Sequence, residues 1–361
     1  MKNPFCNLKS AVAVCAVACC AIAGAAMPEA RQGFVIVTDH LKADGAADVS
    51  DALQKVIDAH PNRTLYFPDG TYLLAKPILT PANPKRSVDL RLSNYAVIKA
   101  APGWSSSEAL VRLGGKDPAN DIRTPGSNYS FTGGIVDGSG VAKGISIDGG
   151  RETKVRDVSM KNVLVGLHIK RGANSGSSDC DIADVNIVGN RATNSIGVLV
   201  EGYDNTFSNM RIADVYVGVR LLGGGNSLRN IHPLFTCGYD VYERSIGFDD
   251  RTGNTWMDFC YSDHFSVGFN LSPDAAGVYH KCFTMWYAAN PKRRHTAIRA
   301  EGEFRTIFRD FTIGFNKNEA VNAVLEVGKA GGRGRIDNLR ANVGLVNSPF
   351  DVHKQYLIKL P

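Results

Sequence analysis

Short runs of one pattern, most opening on a small residue and then alternating apolar with polar positions, recur through the chain and constrain its fold more than any other feature. They are Gly144 to Asp148, Gly166 to Lys170, Gly197 to Glu201, Gly218 to Leu222, Gly247 to Asp250, Gly268 to Leu271, Ala297 to Ala300 and Val324 to Val327, beginning 21 to 31 residues apart. An interval of this size is one coil of a solenoid. Each run is followed, 11 to 18 residues after its start, by a polar residue set in a second alternating run: Asp157, Asp184, Asn209, Asn230, Asp258, Lys281, Asp310 and Asn338. Two phase-locked series of this kind imply stacked coils, each strand hydrogen-bonded to its counterpart in the next coil.

A chain of 361 residues with 44% hydrophobic composition can bury a large core, and a solenoid of this length is one domain. The basic start up to Lys9, the apolar stretch from Ala11 to Ile22 and the small-residue exit at Ala23 to Ala26 read as a secretory signal peptide over residues 1–26. The mature chain is therefore expected to be secreted or periplasmic, and the degenerate lipidation pattern ending at Cys19 leaves room for a lipid-anchored envelope protein. No later segment has the roughly 18 consecutive apolar residues of a transmembrane helix. Cys180, Cys237, Cys260 and Cys282 fall in the mature chain, where export permits disulfides but the spacing fixes no pairing. No metal is expected, since neither Cys-x-x-Cys nor a His pair at ligand spacing occurs. A net charge of +6, dispersed apart from Lys292 to His295, lacks the broad basic stripe of a nucleic-acid binder and suits an acidic polymer better.

Ahead of the repeats, Asp44-Gly45-Ala46-Ala47-Asp48 leads into a segment whose Val49, Leu53, Val56 and Ile57 share one helical face. A solenoid must cover its first edge, and this helix is the expected N-terminal cap. Leu65 to Tyr72 then reads as a strand broken by a Pro-Asp-Gly turn, and Gly133-Gly-Ile-Val-Asp137-Gly-Ser-Gly140 opens the regular coils. Together these motifs resemble the pectate-lyase superfamily. The resemblance implies an all-β fold, a right-handed single-stranded parallel β-helix with an N-terminal capping α-helix, over residues 27–345 with a tail or cap at 346–361. It also implies action on, or binding to, a polysaccharide, within a group that includes lyases, hydrolases, epimerases, transferases and tailspikes. Homotrimers occur among such proteins, though no heptad or long apolar face here demands one.

In the first-strand series the residues flanking each central position are apolar, so the central one projects outward. That column reads Ser146, His168, Leu199, Arg220, Asp249, Asn270, Arg299, Glu326. Long connections carrying Phe235, Tyr239, Tyr242 and Glu243 on one side, and Trp286, Tyr287, Arg293, Arg294 and His295 on the other, flank a short one at Cys260 to His264. By resemblance, the cleft between them, along the first strand, is where a polysaccharide would lie. Tyr239, Tyr242, Trp286 and Tyr287 are candidate sugar platforms, whereas Trp256 falls in a second-strand run and is assigned to packing.

Glycoside hydrolysis needs two carboxyl groups, one to protonate the leaving oxygen and one to activate water or attack carbon. Asp249 is the first candidate, with Glu243, Asp263 or Glu201 as partner; Glu243 and His264 each precede a strand at the same spacing and are expected side by side near Asp249. Arg220, Asn270, Arg299 and His168 are candidate substrate contacts. Elimination on a uronate would instead use His264, Tyr261, Arg220 or Arg299 as base or charge neutraliser. The column holds too few acids for calcium, so no cofactor is expected. Asp137, Asp148, Asp157, Asp184 and Asp258 are assigned to turns, and Asp250 to the interior or a turn. A non-catalytic carbohydrate-binding or adhesin-like β-helix is the reading from another class.

Overall fold

The computed structural model describes residues 33–116, 130–171, 177–237, 239–286, 295–315 and 323–341. The expected signal peptide and the tail at 346–361 lie outside these residues. Each coil contributes three short strands, and the same three positions stack in parallel from coil to coil. Ten strands, from Ile78–Pro81 to Ala323–Val327, make the first ladder as a sheet of its own. The second and third ladders merge into one sheet, because Thr206–Ala213 and Ser227–Leu234 turn the corner between them without a break. The chain is a parallel β-helix.

Alternation explains why the coils close. Inward residues of all three ladders form one continuous core running from Val37 to Leu339, within which the rings of Phe248 and Phe269 lie stacked with centroids 5.0 Å apart. Six of the ten first-ladder strands carry glycine at their second residue, for a steric reason. A Cβ on Gly218 would lie 2.4 Å from the carbonyl of Gly247 and 2.4 Å from Pro233; one on Gly247 would lie 2.7 Å from the carbonyl of Gly268. Each such glycine blocks the side chain of the one before it.

The corner between the second and third ladders demands a left-handed residue. Asp157, Asp184, Asn209, Asn230, Lys281, Asp310 and Asn338 all stand there at φ between 50° and 56°. In the remaining coil the corner residue is Phe259, at φ 53°, and not the expected Asp258, which ends the strand Trp256–Asp258. A second left-handed series, Asn162, Arg191, Asp214 and His264, marks the corner leading into the first ladder.

A helix over Ser50–Ala59 sends Leu53, Val56 and Ile57 into the core. Its Gln54 accepts from Leu79 N at 2.8 Å and donates to Leu79 O at 2.9 Å, so a side chain satisfies the backbone of the terminal strand of the first ladder. Inside the coil, Asp250 is buried as expected and takes bonds from Thr252 N at 2.9 Å, Thr252 Oγ1 at 3.0 Å and the Tyr279 hydroxyl. Cys180, Cys237, Cys260 and Cys282 are buried thiols without a disulfide among them; burial pushes Cys180 and Cys260 up to about 12. Among the described residues, no helix is long and apolar enough to cross a membrane and no His, Cys, Asp or Glu cluster could hold a metal ion.

Candidate active site on the first ladder

The outer face of the first ladder carries two columns of side chains. One is the expected column, extended at its start: Leu79, Arg112, Ser146, His168, Leu199, Arg220, Asp249, Asn270, Arg299 and Glu326 stand in register. The other arises because ladder hydrogen bonding continues one residue past each strand, as where Arg251 N bonds Leu221 O and Glu301 N bonds Leu271 O. It adds Asp148, Lys170, Glu201, Leu222, Arg251, Ser272 and Glu301, of which only Glu201 was a site candidate from the sequence.

Asp249 is the hub of the C-terminal half. Arg220 Nε donates to its Oδ2 at 2.7 Å, Arg251 Nε approaches at 3.2 Å, and Asn270 Nδ2 donates to Oδ1 at 2.9 Å. The same Asn270 nitrogen donates to Glu301 Oε1 at 2.8 Å, and Arg251 reaches Glu301 through both terminal nitrogens, at 3.0 and 3.4 Å. Burial works against the Arg251 charge, but Asp249 and Glu301 together hold its pKa above the ordinary arginine value. Asp249 has no exposed side-chain surface, whereas Arg220, Arg251 and Glu301 each keep about a third of theirs, at 31%, 37% and 34%. Arg299 pairs with Glu326 at 3.0 Å.

The N-terminal half holds a separate cluster. Asp148, assigned from sequence to a turn, instead accepts from Ser146 and from Arg112 Nε at 2.8 Å, with Lys170 Nζ at 3.2 Å. Burial alone would raise its pKa, but these donors hold it below the ordinary carboxylate range. The Lys170 ammonium, which donates to Glu108, likewise lowers that carboxyl. His168 is nine-tenths buried with Nε2 3.4 Å from Glu201 Oε2; burial lowers its pKa, and Glu201 opposes the shift. Leu199 and Leu222 separate the two clusters.

The remaining candidates are dispersed. Glu243 is exposed on the 3₁₀ helix Tyr239–Arg244. Asp263 belongs to the third ladder, buried and 3.3 Å from His232 Nε2, whose ring stacks on Tyr261. His264 occupies the left-handed corner position with its ring buried beside Tyr242, so its place is set by the turn. Tyr242 is wholly buried, packed with Tyr216, Phe235, Cys237 and Phe265, and its hydroxyl meets His295 Nδ1 at 2.7 Å. Trp286 is wholly buried and donates to Phe265 O at 2.7 Å. Neither ring offers a face to a sugar: Tyr242 packs in the cluster beneath its own loop, and Trp286, the last residue of the third-ladder strand Phe283–Trp286, is part of the continuous core. The Tyr239 side chain, Tyr287, Arg293 and Arg294 lie outside the described residues. Trp256, assigned to packing, is 50% exposed.

Glu301 and Arg251 are the residues that the sequence reading missed. The available signal was the position two past each outward residue, which is charged in five coils, at Asp148, Lys170, Glu201, Arg251 and Glu301. Chemically, the site offers two carboxyl groups bridged by one amide nitrogen, so the two bridged oxygens lie no farther apart than the combined length of those bonds, nearer the roughly 5–5.5 Å of retaining glycosidase pairs than the wider spacing of inverting ones. Partly open guanidinium groups beside them suit an anionic sugar.

Fold and site thus define a class, the pectate-lyase type of parallel β-helix with a charged outer face on its first ladder. The family model described as rhamnogalacturonase A/epimerase, pectate lyase-like, matches residues 34–237, and the chain belongs to that family. The match takes in His168, Glu201 and Arg220 and ends before Asp249 and Glu301. Among solved structures, ORF18 of Geobacillus virus E2 is similar with a TM-score of 0.58 and 13% identity, over 94% of this chain and 66% of the viral one. An exopolygalacturonase from Thermotoga maritima is similar with a TM-score of 0.51 and 12% identity, over 86% of this chain and 91% of that one. Both likenesses concern the fold. No curated protein matches the chain.

Proposed function

We propose that the protein is exported and cleaves glycosidic bonds of an acidic extracellular polysaccharide lying along the outer face of the first ladder. The observation that carries this reading is the bridge of Asp249 and Glu301 by Asn270, flanked by Arg220 and Arg251. Glu301, partly open, is the carboxyl that would meet the glycosidic oxygen. Asp249 would be the second carboxyl and would orient both arginines toward uronate groups. Hydrolysis then follows the retaining course that carboxyls this close allow: one protonates the leaving oxygen while the other attacks the anomeric carbon, and water then releases the sugar from the resulting ester.

A second reading, elimination, is favoured by the enclosure of Asp249, which leaves Glu301 as the accessible member of the pair while three arginines remain partly open. There an arginine would neutralise the uronate carboxylate while Glu301 takes the neighbouring proton, the carbon–oxygen bond beside it breaks as the double bond forms, and the leaving oxygen takes a proton from water. The test is incubation with neutral and acidic polysaccharides, following new reducing ends together with the ultraviolet absorbance of unsaturated uronates. Reducing ends alone, lost at least about a hundredfold in Asp249→Asn and in Glu301→Gln, the latter with substrate binding retained, support hydrolysis; the usual acid–base contribution is of that order. Both signals, abolished in Arg220→Ala, support elimination. Binding without either signal would sink both readings and leave a carbohydrate-binding β-helix.

A further inference from the structure

The corner between the second and third ladders, on the side of the coil away from the carboxyl pair, carries a second assembly of groups. The amides of its left-handed residues form a ladder: Asn209 Nδ2 donates to Asp184 at 3.2 Å and Asn230 Nδ2 to Asn209 at 3.0 Å. The next coil interrupts this ladder with Phe259, which has no amide to donate, and Asn230 Oδ1 takes no bond among the described residues. At the interruption lies an open cavity of about 590 Å³ lined by Ser208, Asn209, Arg229, Asn230 and Phe259.

Phe259 is unfavourable there on two counts. A bulky residue in the left-handed region is a conformational outlier, where Asn and Asp are tolerated. Phe259 is also 48% exposed, and Trp256 three residues earlier is 50% exposed. Lys281 Nζ stands 5.0 Å from the Phe259 ring centroid on the following coil, while the ring also lines the cavity on the Asn230 side. Arg229 is held only loosely, 3.9 Å from Asp258 and 73% exposed. An apolar ring beside amide, hydroxyl and guanidinium groups is the chemistry that receives a sugar.

We propose that this corner is a second carbohydrate site, binding a pyranose unit of an acidic polysaccharide. Phe259 supplies the stacking surface, Asn230 Oδ1 accepts from a sugar hydroxyl, and Arg229 meets a uronate carboxylate. The site holds the polymer without taking part in chemistry on the first ladder.

The test titrates hexagalacturonate into the full-length mature chain carrying Glu301→Gln, so that the probe survives, with xylohexaose as the neutral comparison. Calorimetry is expected to show two hexagalacturonate sites, with Phe259→Asn removing one of them and Arg229→Ala weakening that one at least tenfold. Trp256 fluorescence is expected to respond only to the site that Phe259→Asn removes. That substitution restores the residue type of the neighbouring coils, so it should raise the thermal midpoint by a few degrees, separating lost binding from lost folding. Unchanged stoichiometry and affinity in Phe259→Asn overturn the proposal, as does absence of hexagalacturonate binding to the parent. Loss of the sole observed site in Phe259→Asn, with no turnover of any polysaccharide by the unmodified chain, would uphold this site and sink the reading of the first ladder.

Discussion

Two aspartates of adjacent ladder positions answer to pH in opposite senses. Burial raises the pKa of Asp250 above its ordinary 3.8 despite the bonds from Tyr279 and Thr252. Between the unfolded and folded values the native state binds more protons, so this group lowers stability as pH rises through that window and leaves it lower above it. Asp148 is shifted downward, and its contribution is present above 3.8 and lost as pH falls through its depressed folded value. Urea midpoints measured against pH should therefore lose their fall with rising pH in Asp250→Asn and part of their acid-side drop in Asp148→Asn; identical profiles for both variants and the parent would refute the assignment. The inward turn of Asp250 was legible from alternation, as was the whole outward column from Ser146 to Glu326. Asp148 was not, because a residue just past a strand end looks like a turn residue until its neighbours in adjacent coils are known. Phe259 was missed for a related reason: Asp258 has the expected polar chemistry, but the register places the corner one residue later.

The strand is governed by the glycine at its second residue. Its recurrence in six first-ladder strands was visible in the sequence, yet its cause lies in the neighbouring coil's carbonyl, which no single repeat contains. Gly218→Ala forces a Cβ against both Gly247 O and Pro233 and should destabilise the fold by about 1–3 kcal/mol, the usual cost of overpacking. Gly253→Ala meets nothing closer than 3.7 Å and serves as the control, expected within about 0.5 kcal/mol of the parent. Equal urea midpoints for the two variants would show that the coils can separate to admit a methyl group. The loops that flank the first ladder were less legible, since an aromatic side chain near a long connection has the same sequence signature whether it stacks on a sugar, anchors the loop, like Tyr242, or fills the core at a strand end, like Trp286.

At the scale of the molecule, a stack of parallel coils has an exposed backbone wherever it begins. Gln54 meets the donor and the acceptor of Leu79 on the terminal strand of the first ladder. Gln54→Ala should cost about 1–2 kcal/mol through two lost hydrogen bonds and should promote edge-to-edge association. Sedimentation velocity at rising concentration checks this, and a variant that sediments like the parent throughout would show that the edge is guarded by other means. The repeat interval and helix periodicity made the coiled architecture legible. The joining of the second and third ladders into one sheet was not, because it depends on two strands that turn a corner without a break. The outer face of the first ladder has a further consequence. Backbone geometry alone would make neighbouring coils interchangeable, but Arg220, Asp249, Asn270, Arg299 and Glu326 each find a partner only in this order. Duplicating the coil of Arg299 would set like charges face to face, and removing that of Asp249 would strip Arg220 of its partner, so charge penalises gain, loss or exchange of these five coils in a scaffold whose backbone would tolerate it.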